Sequence, residues 1–201
     1  YPETAYGFAT TGQTIAPVPD GTTIRVLVDE HPLTCVTTEV EEFERTLDMQ
    51  RGVVERSLVY QLSDGRRFRV DTKRFVSLAQ RHMACIRYEV TALDAPARLV
   101  ISSELRTPNR APEKGSADPR RTRALADEVL QPGIERVQGA RVIRSYRTAQ
   151  SELVVAAGMD HQFDDEHVTP VRAEFDAARA YVLFEIDVPP DRTVTLTKWL
   201  A

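Results

Sequence analysis

Apolar and polar residues alternate with a period of two along most of this chain, and no other feature limits its fold as strongly. Ile24, Val26 and Val28 alternate with Arg25, Leu27 and Asp29. Val54, Leu58, Tyr60 and Leu62 share one parity, and Glu55, Ser57 and Gln61 take the other. Ile86, Tyr88 and Val90 alternate with Arg87, Glu89 and Thr91, and Val182, Phe184, Ile186 and Val188 with Leu183, Glu185 and Asp187. Successive side chains of a strand point to opposite faces, so each run reads as an antiparallel strand with one buried and one wet face. Turn residues separate the runs. Ser63-Asp64-Gly65-Arg66 predicts a tight hairpin, because Asp-Gly tolerates positive φ. Arg51-Gly52 predicts another between Thr46–Met49 and Val53–Leu62, Pro19-Asp20-Gly21 precedes the Ile24 strand, and Pro189-Pro190-Asp191 separates the last two runs.

More than eight short strands with almost no helix imply an all-β sandwich or barrel, and the missing helix–strand alternation excludes a doubly wound α/β fold. One strand changes phase: Phe68, Val70 and Thr72 share a face but Phe75 falls on the other parity, so a bulge near Lys73-Arg74 is expected to return both aromatics to one core. Residues 107–133 break the pattern as an insertion. Arg106, Arg110, Lys114, Arg120, Arg121 and Arg123 crowd a Pro/Ala/Gly-rich stretch. Asp118-Pro119 resembles a helix start, Ala124, Leu125, Val129 and Leu130 suggest about two helical turns, and Pro132-Gly133 is expected to stop them.

Composition narrows the function classes. Acidic residues outnumber basic ones 30 to 26, a net charge of −4, so no broad electrostatic footprint for nucleic acid exists. The longest apolar run, Leu153–Met159, falls far short of the ~20 residues of a membrane helix, and no basic-then-apolar pattern in these residues argues for secretion. Two cysteines, Cys35 and Cys85, exclude a disulfide-rich scaffold; both are expected to be buried free thiols, since free cysteine packs as a small hydrophobe.

Five groupings of residues raise questions of chemistry. Asp160-His161-Gln162-Phe163-Asp164-Asp165-Glu166-His167 has metal-ligand residue types, but the spacing fits no metal motif and a solvated acidic loop is the expectation. Ser77 and His82 invite a nucleophile reading; His82 shares parity with Ile86 and Tyr88 and is expected to face inward as a core or edge histidine. Glu39, Glu41, Glu42 and Glu44 could pair as glycosidase carboxylates, but without an inferable apolar pocket they read as a charged sheet edge. The basic insertion could hold an anion, yet no Gly-rich cradle accompanies it and a solvated loop is expected. Trp199, with Leu196 and Leu200, is either a platform for a sugar ring or a plug at a junction with a following domain, the second being favoured.

The blocks Glu44–Ser57, Asp64–Val70 and Arg74–Arg87, with Tyr6–Thr14 upstream and Leu196–Leu200 at the close, resemble the N-terminal domain of glycoside hydrolase family 65. That family comprises trehalose, maltose and kojibiose phosphorylases and related trehalose hydrolases. The resemblance spans nearly the whole chain. It implies one domain over residues 1–201, an antiparallel β-supersandwich like galactose mutarotase, preceding an (α/α)6 barrel that carries the catalytic glutamate. Phosphate or an activated water attacks the anomeric carbon with inversion in such enzymes, which requires widely separated groups.

No barrel is encoded in these residues, so the expectation is a non-catalytic domain with no catalytic residue, cofactor or metal of its own. It would scaffold its own C-terminal catalytic barrel, whose substrate is a disaccharide, and help form a cytoplasmic homodimer. The family's usual opening segment before Tyr6-Gly7 is not found, and a missing first strand would leave a sheet edge open to dimerisation. Tyr6, Phe8 and Trp199 are the candidate sugar or domain-interface contacts. The alternatives are an independent carbohydrate-binding module using those aromatics, and a sandwich serving interaction alone.

Overall fold

A computed structural model describes residues 18–107, 130–149, 151–165 and 167–201. Among the described residues thirteen strands fold into two sheets in which every paired strand is antiparallel. The smaller sheet has the order β11 (Pro170–Phe175), β12 (Arg179–Val188), β7 (Ala97–Arg106), β1 (Ile24–Val28), β2 (His31–Pro32). The larger runs β3 (Glu39–Asp48), β4 (Val53–Gln61), β5 (Arg67–Val76), β6 (Ala84–Ala92), β13 (Thr193–Leu200), β10 (Val154–Phe163), β9 (Arg141–Thr148), β8 (Leu130–Gln138).

The alternation read from the sequence decides which face of each strand is buried. Val26 and Val28 of β1, Leu99, Ile101 and Leu105 of β7, and Val182 and Phe184 of β12 point from the small sheet into the core. Leu58 and Tyr60 of β4, Phe68 and Val70 of β5, Val90 of β6 and Leu196 of β13 meet them from the large sheet. Each such side chain contributes ~1.5–3 kcal/mol by leaving water.

The hairpins form where turn chemistry is strongest. Gly52 (φ 66°) and Gly65 (φ 87°) occupy the left-handed region in the β3–β4 and β4–β5 turns. Asp48 Oδ1 accepts the Arg51 N–H at 2.9 Å to close the first of them.

Four expectations are corrected. β5 runs unbroken from Arg67 to Val76, in continuous register with β4 and β6. Phe75 therefore stays on the outer face and has no bulge to turn it inward. Pro132-Gly133 does not stop a helix but lies inside β8, at a register shift between Pro132 and Glu135. An edge strand tolerates the missing proline donor. The rest of the expected insertion helix falls outside the described residues. Cys35 is exposed, in the loop after β2, while Cys85 is buried as expected, and both thiols are free. His82 is exposed in the turn between β5 and β6 rather than facing the core, because β6 begins only at Ala84. The acidic residues Glu39, Glu41, Glu42 and Glu44 belong to β3 itself, the exposed outermost strand of the large sheet, as a charged edge requires.

Candidate functional site

The features that stand out chemically gather around β13, which sits mid-sheet between β6 and β10. Its alternation sends Val194, Leu196 and Lys198 inward and Thr193, Thr195, Thr197 and Trp199 outward.

On the inner side Lys198 is fully buried. Its Nζ donates to the Glu104 carbonyl at 2.8 Å and the Thr23 carbonyl at 3.3 Å, tying the large sheet to the small one. Burial pulls its pKa down to about 7, against the attraction of Asp20 and Glu104. His161 lies opposite Lys198 in register. Its Nδ1 is 2.7 Å from the Ala140 carbonyl, which only accepts, so Nδ1 carries the proton. Nε2 then accepts from the Ser103 hydroxyl at 2.7 Å. Burial, with Lys198 adding to it, lowers the His161 pKa to about 4, against the Ala140 hydrogen bond and Asp160.

A serine donating to a histidine is the opening arrangement of nucleophilic catalysis. Here Ser103 has no exposed surface, so the pair pins β7 to β10 and cannot meet a substrate. Behind it, Glu104 points to the opposite face of β7 and is also fully buried. Arg25 lies at 3.2 Å, Arg106 at 3.8 Å and Arg179 in direct contact, so one carboxylate ties β1, β7 and β12.

The Asp160–His167 stretch is thus strand to Phe163 rather than wholly a solvated loop. Its groups are structurally engaged. Asp160 Oδ2 pairs with Arg141 at 2.6 Å, Asp164 Oδ1 accepts the Thr195 N–H at 3.1 Å, and Asp165 Oδ1 accepts the His167 N–H at 3.0 Å. Among the described residues no group of three or more His, Cys, Asp or Glu converges as metal ligands would.

On the outer side a row runs Phe75, Cys85, Trp199 on three successive strands. The aromatics are two strand spacings apart, ~10 Å, with Cys85 buried between them and its thiol pKa raised by that burial. Phe75 and Trp199 remain 40% and 39% exposed. Beside the end of β13 is a cleft of about 200 Å³ lined by Gly21, Leu105, Gly158 and Leu200, with Arg81 and His82 also at its wall. That is below the ~300 Å³ at which small-molecule pockets begin. A groove of about 250 Å³ on the outer face carries Glu44, Glu55, Asp71 and Glu89 beside Lys73, whose Nζ binds Glu55 at 2.7 Å. Glu44 and Asp71 flank Ser57 in one cross-strand row, open on the sheet surface.

Trp199 lies near the end of β13 and half-exposed, while Tyr6 and Phe8 lie outside the described residues. Lys198, His161, Ser103 and Glu104 were not singled out as a cluster by sequence reasoning. A charged residue at an inward parity, as Lys198 is between Leu196 and Leu200, was the available signal.

A model of the glycosyl hydrolase family 65 N-terminal domain matches residues 2–201. An uncharacterized glycosyl hydrolase of Mycobacterium tuberculosis is 34% identical over 100% of the chain, which covers 25% of that relative. The alpha,alpha-trehalose phosphorylase of Thermoanaerobacter brockii is 26% identical over 100% of the chain and 26% of its own length. Among solved structures, one named for a kojibiose phosphorylase from the human microbiome superposes with a TM-score of 0.75 at 12% identity, covering 92% of this chain and 22% of that one. The chain therefore spans about a quarter of the length of the curated relatives it matches from end to end.

Proposed function

This chain belongs to the glycosyl hydrolase family 65 N-terminal domains, and from that premise we propose that it is the non-catalytic platform of a larger cytoplasmic enzyme. That enzyme would be an inverting hydrolase or phosphorylase acting on an α-glucosidic disaccharide of the trehalose type. The domain would pack against the catalytic barrel and contribute to a homodimer.

The observation that carries this reading is the pair of half-exposed aromatics Phe75 and Trp199 flanking buried Cys85 at the end of the last strand. Aromatic groups left half in water on an otherwise polar sheet face are the residues an interface core draws on. Ser103, His161 and Lys198 are engaged by hydrogen bonds inside the core, and neither cleft on the described surface offers an enclosed acid.

Carbohydrate binding is the second reading, favoured by the spacing of Phe75 and Trp199 on one sheet face. Assay of the 201-residue chain and of the longer polypeptide on trehalose, maltose and kojibiose, with and without phosphate, tests the platform reading. Turnover is expected from the longer polypeptide alone, and turnover by the chain itself would refute the proposal. Calorimetric heat from the chain at millimolar disaccharide would favour the second reading.

A further inference from the structure

Among the described residues the two sheets differ by three strands, and a corner of the large sheet has no partner layer there. On β3, β4 and β5 the parity that faces the core near Tyr60 and Phe68 continues toward the β3–β4 turn as Phe43, Arg45, Leu47, Val54, Arg56, Thr72, Arg74 and Val76. Phe43, Leu47 and Val76 are 64%, 60% and 67% exposed on that core-facing side.

Three arginines stand among them. Arg45 is directly opposite Arg56, Arg56 is opposite Thr72, and Arg74 lies opposite Val54 one row away. Among the described residues none of the three arginines makes a salt bridge, although Arg51, Arg66, Arg67 and Arg69 nearby in sequence all do. Arg56 Nε and Thr72 Oγ1 are both buried without a hydrogen-bond partner. Asp20 is the acidic group that acts on Arg74, and its own oxygens are taken by Thr22 and Thr23. Burial and the neighbouring Arg56 and Arg45 charges lower the Arg74 pKa. Like charges on adjacent strands repel and an orphaned buried donor is costly, so among the described residues this arrangement lacks an anionic counterpart.

We infer that this corner is a docking surface whose occupant is a carboxylate-bearing segment of the same polypeptide lying outside residues 1–201. Three features select that occupant. Guanidinium groups with open donors accept carboxylates in paired geometry. The exposed Phe43, Leu47 and Val76 need apolar cover as well, which a free anion does not supply. About three quarters of the length of the full-length relatives lies outside the matched region, so the polypeptide has ample chain to provide both. A second copy brought up by a two-fold axis through this patch would set arginines against arginines. The inference concerns the inner face of β3–β5 and is independent of what meets Trp199 on the outer face.

The test is a photo-cross-link in the longer polypeptide, with p-benzoylphenylalanine in place of Leu47. Illumination is expected to give a cross-link within one chain, to a peptide outside residues 1–201 that contains Asp or Glu. The double variant Arg45→Glu/Arg74→Glu should reduce its yield about tenfold, since like-charge juxtaposition costs well over 1 kcal/mol. Arg45→Gln/Arg74→Gln, which introduces no repulsion, should give a smaller loss, and Arg45→Lys/Arg74→Lys should keep most of the yield. A cross-link to a second chain, a cross-link confined to residues 1–201, or a yield indifferent to charge reversal would each overturn the inference.

Discussion

At neutral pH His161 keeps one proton on Nδ1 for the Ala140 carbonyl and presents Nε2 to the Ser103 hydroxyl. Adding a second proton would turn Nε2 from acceptor to donor inside the core. Its pKa of about 4 in the fold compares with an ordinary value of 6.5, so between those values the unfolded chain binds more protons than the folded one. The His161 contribution is therefore complete above pH ~6.5 and is lost as pH falls toward 4, at most roughly 3 kcal/mol. Chemical denaturation at pH 7 and pH 4 should show that loss, and His161→Gln should flatten the slope across the window. Lys198 follows the same sign at higher pH, with stability rising between about 7 and 10.5 as the unfolded chain alone retains the proton. Lys198 carried only the signal of its parity with Leu196 and Leu200, and His161 was not legible as a core group from the sequence. His161 sits in a run so rich in carboxylates that the run read as solvent-facing, and only the pairing of β10 with β13 turns that parity inward.

At the scale of elements, the hairpins at Gly52 and Gly65 were readable, and the β1–β2 hairpin, which has no glycine, was not. β1 and β2 are joined by Asp29 (φ 44°) and Glu30 (φ 74°), two non-glycine residues in the left-handed region. Asp29 is held there by its side chain. Arg66 donates to Oδ2 at 2.6 Å and the Arg98 N–H to Oδ1 at 3.0 Å; these bonds, the Arg66 one first, lower its carboxyl pKa. Those partners are 37 and 69 residues away, so no local pattern could announce the turn. Glu30 has no such compensation among the described contacts. Replacing it with glycine should stabilise the domain by ~1 kcal/mol, read as a raised thermal midpoint. Gly65→Ala (φ 87°) should cost a similar ~1 kcal/mol in the β4–β5 turn. Phe75 teaches a related point. Parity alone placed it outside the core, and the expectation that an aromatic residue must be buried overrode a register that in fact runs on without a shift.

For the whole molecule, strand parity carried the all-β architecture, because burial on one face is a local property of each strand, and the choice of sandwich over barrel came with the family resemblance. The unequal sheets, the order in which strands join, and the gathering of Glu104, Ser103, Lys198 and His161 arise from long-range pairing and were beyond any local pattern. The central claim is that this sandwich is a platform whose outer face at β13 meets the remainder of a larger enzyme. Hydroxyl-radical footprinting of Trp199 and Phe75, in the 201-residue chain and in the longer polypeptide, tests it most directly. A face buried in the larger protein should lower the oxidation of both residues at least about fivefold relative to the chain, as expected for aromatic anchors at an interface centre. Equal oxidation of both residues in the two forms would contradict the account.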